Sequence, residues 1–266
     1  MSEHSINAGE EEQFMIQRVY DFDSETQDVV QPAGKRRAPN VAKALARQYS
    51  KPVYTAAKLF GYVLCPGALH VRVANPEVLA PYQDQGYFLY GNHTQPMGDA
   101  FFPMVLTHGR PARTIANVEN LQVPILGPYL QMGGALVVPP ELHAMPQFLN
   151  QVTACIQAGQ PVTVYPEAHV WPYDTHIRPF TRAAFHYPVA LQVPSFSMTT
   201  AYQQRRWGSR PKITVYLDGP FLPDRSLAPR AQQAALMNQI HARMVARAKE
   251  YSTYAYVTYR KREVIQ

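Results

Sequence analysis

The sequence predicts an α/β fold, a single domain with a mostly parallel, mixed sheet flanked by helices and preceded by a short N-terminal helical region. Three observations predict it. Short apolar runs alternate with segments of helical period from about residue 69 onward, the pattern of an α/β sheet rather than a sandwich. Two of those runs, 87–90 and 162–165, stop abruptly at polar residues, the first before Asn92 and His93 and the second before Glu167 and His169. A chain of 266 residues with 46 % hydrophobic and 17 % charged residues can bury one large core. No internal repeat is visible.

Residues 1–31 form an acidic arm, with eight acids against Arg18 alone, and are expected to be flexible. The net charge of +6 therefore divides into −7 for residues 1–30 and +13 for the remainder. So basic a body favours acidic partners such as nucleic acid, anionic lipid head groups or a phosphorylated substrate. Only Cys65 and Cys155 occur, without the spacing of a disulfide framework or a zinc site, which suits a reducing, cytoplasmic setting. The first residues lack the basic and apolar regions of a secretory signal, and no run of about 18 apolar residues predicts a transmembrane helix.

Residues 32–66 are basic and amphipathic. Lys35, Arg36, Arg37, Lys43, Arg47, Lys51 and Lys58 alternate with Val41, Leu45, Tyr54, Leu59, Phe60 and Tyr62, and Pro39 and Pro52 divide the region into short helices. Two readings stand side by side: a helix lying on an anionic membrane surface, or one bound to the domain with a solvated basic face. Nucleic acid is not expected as a partner, because no nucleic-acid motif accompanies the charges.

The α/β domain is assigned to residues 67–250. Strands are predicted at 69–73, 87–90, 114–116, 135–138, 162–165 and 189–193, with an edge-type strand at 212–217. A helix follows Pro96, and an apolar helix continues from Phe101 to Leu106 until Gly109 and Pro111 end it. Pro146 opens a helix carrying Phe148, Val152, Cys155 and Ile156 on one face, closed by Gly159. Leu236, Met237, Ile240, Met244 and Ala248 line one face of a long C-terminal helix. The tail, 251–266, is rich in Tyr and basic residues and has no assigned role.

The chemistry centres on His93. A strand ending at Gly91 and Asn92 puts His93 at a sheet edge, where α/β proteins bind ligands. With Asp99 in the first turn of the following helix, the carboxylate could hold one imidazole nitrogen and leave the other as a general base. The plain structural alternative is a loop histidine beside a helix cap. A metal-dependent hydrolase using His93, Asp99, Glu167 and His169 is a further reading, although their spacing matches no metal motif.

Taken in order, these segments resemble the glycerolipid acyltransferases of the lysophosphatidic acid acyltransferase (PlsC-like) family. The family pattern NH-x-x-x-x-D is matched by Asn92, His93 and, one residue late, Asp99. Glu119, Pro124, Gly127 and Gly134 are similar to the second block, and Tyr165, Pro166 and Glu167 to the third, FPEGTRS. Phe180, Arg182, Ala183, Ala184, Pro188 and Val189 resemble the FKxGA segment and the fourth block. The resemblance spans about residues 85–222. It implies transfer of a fatty acyl group from acyl-CoA or acyl-ACP to a hydroxyl of a lysophospholipid, glycerol phosphate or related lipid, as part of phospholipid biosynthesis. His93 and Asp99 are then the catalytic residues, and Asn92, Thr94, Glu167, His169, Arg178 and Arg182 the candidate substrate-binding ones. No bound cofactor, metal or covalent acyl-enzyme is implied. The expected partners are the thioester donor, with acyl carrier protein as one of its carriers, the lipid acceptor and an anionic membrane surface. The expected location is cytoplasmic, peripheral at the inner face of the cell membrane.

Departures from the family concern recognition and fine geometry. The extra residue between His93 and Asp99 would turn the carboxylate about 100° around a regular helix, unless Pro96 and Gly98 absorb it in a turn. Pro139 and Pro140 stand where the second block ends in Arg, and Asn117 where Lys is frequent. Ala168, His169 and Val170 replace Gly, Thr and Arg in the third block. Arg178 and Arg182 are the candidates for compensating charge, with a salt bridge to Asp174 or Glu167 as the structural alternative. A non-catalytic, lipid-binding member of the family is the alternative function.

Overall fold

The central strand of the molecule is the one that leads to His93, and both of its faces are buried because helices cover the sheet on either side. The computed structural model describes residues 16–20, 49–107, 110–122 and 127–261. Strands β1 (Ile16–Tyr20), β2 (Val71–Ala74), β3 (Phe88–Gly91), β4 (Arg113–Ala116), β5 (Ala135–Val137), β6 (Val162–Val164), β7 (Ser195–Gln203), β8 (Lys212–Phe221) and β9 (Val257–Lys261) make two sheets. Seven strands form the larger one in the order β2-β8-β7-β3-β6-β4-β5, and β1 and β9 form a separate parallel pair. All pairings in the large sheet are parallel except β7 with β8. The mixed, mostly parallel sheet is therefore the one predicted.

Among the described residues five α-helices flank it: α1 (Lys51–Val63), α2 (Phe102–Leu106), α3 (Met145–Gln157), α4 (His186–Leu191) and α5 (Pro229–Tyr251). Leu89 alternates with Phe88 and Tyr90 along β3, so the strand feeds two cores. On one face Leu89, Phe196, Met198 and Leu217 meet Phe101, Phe102 and Leu106 from the α2 side. On the other, Phe88, Tyr90, Val162 and Val164 meet Phe148 and Val152 of α3 and Leu236, Ile240 and Met244 of α5. Burying each of those α5 side chains is worth about 1.5–3 kcal/mol, enough to fix a helix whose other faces are polar.

Several expectations are corrected. Residues 186–191 are helix α4, not a strand, and the strand starts only after Pro194. Gln192 takes a left-handed conformation, φ 52°, that ends the helix. The strand itself, SFSMTTAYQ, is buried from Ser195 to Tyr202 and hidden in the sequence by its Ser and Thr content. β8 is interior, between β2 and β7, rather than an edge. Pro52 lies in the first turn of α1 instead of breaking it. Within the acidic arm, residues 16–20 are a strand paired in register with 257–261 of the tail. The rest of the arm, residues 32–48 of the basic region, Gly109 and Pro124 lie outside the described residues.

Candidate active site

Because β3, β6 and β7 run parallel, their C-terminal ends share one edge of the sheet, and the polar residues that follow them converge there. After Gly91 the chain leaves β3 through Asn92, whose side chain is a latch. Its amide Nδ2 donates to Thr200 O (3.0 Å) and its Oδ1 accepts from Thr200 N–H (2.8 Å). Thr94 is buried and its hydroxyl pairs with that of Tyr202. Both side chains tie the loop to β7.

His93 stands between these two anchors. Its Nδ1 lies 2.8 Å from Oδ2 of Asp99, and the same oxygen accepts the Gln95 N–H at 3.0 Å. The extra residue in the spacing is absorbed as the sequence allowed: residues 96–101 are turns, and α2 begins only at Phe102. Asp99 thus lies ahead of the helix and not in its first turn, where a regular helix would have rotated it away. Its N–H donates to Gln95 O at 3.1 Å, closing the turn. The Asp99 side chain is 3 % exposed and that of His93 is 18 % exposed. Burial lifts the Asp99 carboxyl above the ordinary carboxylate range, against the opposing pull of His93 and of the Gln95 N–H.

Tyr165, at the end of β6, is a site residue whose role sequence reasoning missed. Its ring stacks on the His93 imidazole with centroids 4.5 Å apart and planes 21° apart, and its hydroxyl donates to Asp99 O at 2.6 Å. Gly91 makes this possible, since a Cβ there would lie 2.6 Å from the Tyr165 ring. The only signal in the sequence was an aromatic residue directly before Pro166 and Glu167.

Glu167 is buried and faces inward. Its Oε2 accepts the His93 N–H at 3.0 Å and an Arg178 Nη2–H at 2.7 Å, while Oε1 accepts the Arg178 N–H at 3.1 Å. Arg178, 2 % exposed, also donates from Nη2 to His93 O at 3.3 Å and to His169 O. Its guanidinium carbon lies 4.9 Å from the centroid of the Trp171 ring, within cation–π range. Burial raises the Glu167 carboxyl above its ordinary value and the Arg178 charge opposes that rise. Of the two alternatives for Arg178, the salt bridge to Glu167 is the one formed, while its Nε and Nη1 are buried without a hydrogen-bond partner. The Trp171 N–H to His93 O (3.0 Å) and Tyr173 N–H to Thr94 O (2.8 Å) bonds complete the cage around the loop.

His169 is half-buried beside Ala168, which has a left-handed φ of 66°. Arg182 is exposed at the start of a 3-10 turn, and the neighbouring Thr181 N–H donates to Pro166 O at 3.0 Å, so this segment borders the end of β6. Asn117 and Pro139 follow β4 and β5 on the same edge. Among the described residues no three His, Cys, Asp or Glu side chains converge to hold a metal, and Glu167 is committed to Arg178.

The fold and the site together define an α/β protein with a carboxylate-held histidine at the C-terminal edge of its sheet. The acyltransferase family model matches residues 70–201. By that match this part of the chain is similar to the acyltransferases. Among solved structures it is similar to the 1-acyl-sn-glycerophosphate (LPA) acyltransferase PlsC from Thermotoga maritima. The TM-score is 0.53 at 16 % identity, over 80 % of this chain and 88 % of that one, a likeness of fold. No curated protein sequence matches the chain significantly.

Proposed function

We propose that this protein transfers a fatty acyl group from acyl-CoA or acyl-ACP to the hydroxyl of a lysophospholipid, glycerol phosphate or related lipid, with His93 as general base. The observation that carries the reading is the 2.8 Å His93–Asp99 pair at the sheet edge of a chain whose residues 70–201 match the acyltransferase family model. With Nδ1–H committed to Asp99, Nε2 is the nitrogen that takes the acceptor hydroxyl proton. The alkoxide oxygen then forms a bond to the thioester carbonyl carbon. As the tetrahedral adduct collapses, the C–S bond breaks and the departing thiolate recovers the proton from Nε2. Asp99 stabilises the imidazolium that exists between these two events. General-base help of this kind is typically worth about 10²–10⁴ in rate.

Glu167, Arg178 and Tyr165 act on the loop and ring that present His93. Among the basic side chains singled out in the sequence, Arg182 and His169 are our candidates for contacting an acceptor phosphate. Asn117, Pro139 and Pro140 supply no cation at the family's usual positions, which favours an acceptor other than a simple glycerol phosphate. Among the described residues no helix is long and apolar enough to cross a membrane. The acceptor is reached, on this reading, from the surface of the inner membrane face. Thiol release from a panel of acyl-CoAs and acyl-ACPs, with and without mixed lysolipids, tests the proposal. Release that rises several-fold with an acceptor supports it, and acceptor-independent release would identify a thioesterase instead.

A further inference from the structure

We infer that the loop joining β7 to β8, residues 204–211, is a membrane-docking element separate from the N-terminal region, with Trp207 seated in the interface of an anionic bilayer and Arg206, Arg210 and Lys212 on its head groups. The inference rests on the reading that the acceptor is held in a membrane. Its sequence is QRRWGSRP, followed by Lys212, and the whole stretch between Asp174 and Asp218 contains no acid. Trp207 is 80 % exposed, an unusual position for the largest apolar side chain. The Arg206 guanidinium lies 5.9 Å from its ring centroid. An indole with neighbouring cations suits the lipid interface, where the ring meets the head-group level and each basic residue gains from the negative surface.

The topology places this loop near the site. β3 pairs with residues 195–198 of β7, so the remaining five residues of β7, up to Gln203, carry its end about 16 Å past Gly91. His93 lies only two residues beyond Gly91, and its neighbour Thr94 meets Tyr202 near the end of β7, so the loop begins close to the site on the same edge. The base of the loop is held: Arg205 Nε–H donates to Pro211 O at 3.0 Å, Arg205 Nη2–H to Leu69 O at 3.4 Å, and the Tyr254 hydroxyl to Ser209 O at 3.0 Å. The bond to Leu69 also joins the loop to the segment that follows α1. The C-terminal turn of α1 exposes Leu59, Phe60 and Val63. Cations alone would serve an acidic protein equally well, but an exposed indole among them, on a loop bonded through Leu69 O to the segment that follows the exposed Leu59, Phe60 and Val63, calls for a lipid phase.

The chain's two tryptophans make the test direct, because Trp171 is 3 % exposed and Trp207 is not. The full chain is titrated with phosphatidylcholine vesicles with and without phosphatidylglycerol, some containing brominated lipid. The expected result is binding to the anionic vesicles with quenching of tryptophan emission that disappears in Trp207→Phe. Arg206→Ala with Arg210→Ala should weaken vesicle affinity at low salt by roughly fivefold per arginine. Transfer to a short-chain acceptor free in solution should be unchanged. Vesicle binding without quenching of Trp207 would overturn the inference while leaving the acyltransferase reading intact. So would arginine variants that bind vesicles normally but lose their response to acyl carrier protein. Loss of turnover on the soluble acceptor in the wild type would count against the acyltransferase reading itself.

Discussion

Replacing Asp99 by Asn separates the charge of this residue from its shape. In the structure one oxygen, Oδ2, accepts both the His93 Nδ1–H and the Gln95 N–H, while Oδ1 is buried without a hydrogen-bond partner. An asparagine can put its amide oxygen in the Oδ2 place and keep both bonds. What it loses is a negative charge beside the imidazolium that forms during transfer. Two unit charges about 4 Å apart at an effective dielectric constant near 20 interact by about 4 kcal/mol, which corresponds to roughly 10³ in kcat. KM for the acyl donor should change little. Stability should respond with the opposite sign. A carboxyl whose folded pKa is raised stabilises the fold fully only below its unfolded pKa, and that contribution is lost as pH rises through the folded value. Above the folded pKa the ionised, buried Asp99 is therefore a cost, so the Tm of Asp99→Asn relative to wild type should rise with pH. Steady-state thiol release and thermal melts across a pH series make the comparison. A well-folded Asp99→Asn protein within threefold of wild-type kcat would refute the role of the charge.

Two further substitutions probe how the loop is held. Glu167→Gln or Arg178→Met leaves one buried partner uncompensated, so either should destabilise the protein by about 3–5 kcal/mol in chemical denaturation. The double variant should recover part of that loss, and simple additivity of the two would contradict the pairing. Gly98→Ala places a Cβ 2.4 Å from the Phe102 ring and should cost about 1–3 kcal/mol, with activity reduced because the turn positions Asp99. Combining it with Phe102→Leu should restore most of the Tm, and no restoration would mean that the turn tolerates Ala for another reason.

Much of this arrangement could be read from sequence because periodicity and strand-end chemistry are local. The runs before His93 and Glu167 are short, apolar and bounded by polar residues, and both proved to be parallel strands ending at the same edge. The failures have physical causes. SFSMTTAYQ has too many hydroxyls to read as a buried strand, yet Ser195, Ser197, Thr199 and Thr200 all lie inside. YPVALQV is rich in apolar residues and is a short helix, because Pro188 is tolerated in its first turn and Gln192 can adopt a left-handed φ. The meeting of His93 and Asp99 depends on a turn in which Asp99 lies ahead of the helix, and a spacing of six cannot distinguish that turn from a helix. Sequence left Arg178 open between a substrate and a salt bridge to Asp174 or Glu167, because only the fold of the loop joining Glu167 to Arg178, 11 residues on, sets which group it meets. The stacking of Tyr165 on His93 requires two different strands to be placed side by side, which no local pattern encodes.

The central claim is that His93 removes the acceptor proton, and one comparison tests it most directly. Wild type and His93→Ala are assayed for acceptor-stimulated thiol release with the best donor, after circular dichroism and thermal melts show both to be folded. Only 18 % of the His93 side chain is exposed, but its ring interacts with Asp99 and Tyr165 and does not join two elements of the core, so the variant should fold. The account predicts that His93→Ala loses at least 10² of the stimulated rate and retains its native fold. A folded His93→Ala protein that transfers acyl groups at near wild-type rate would contradict it.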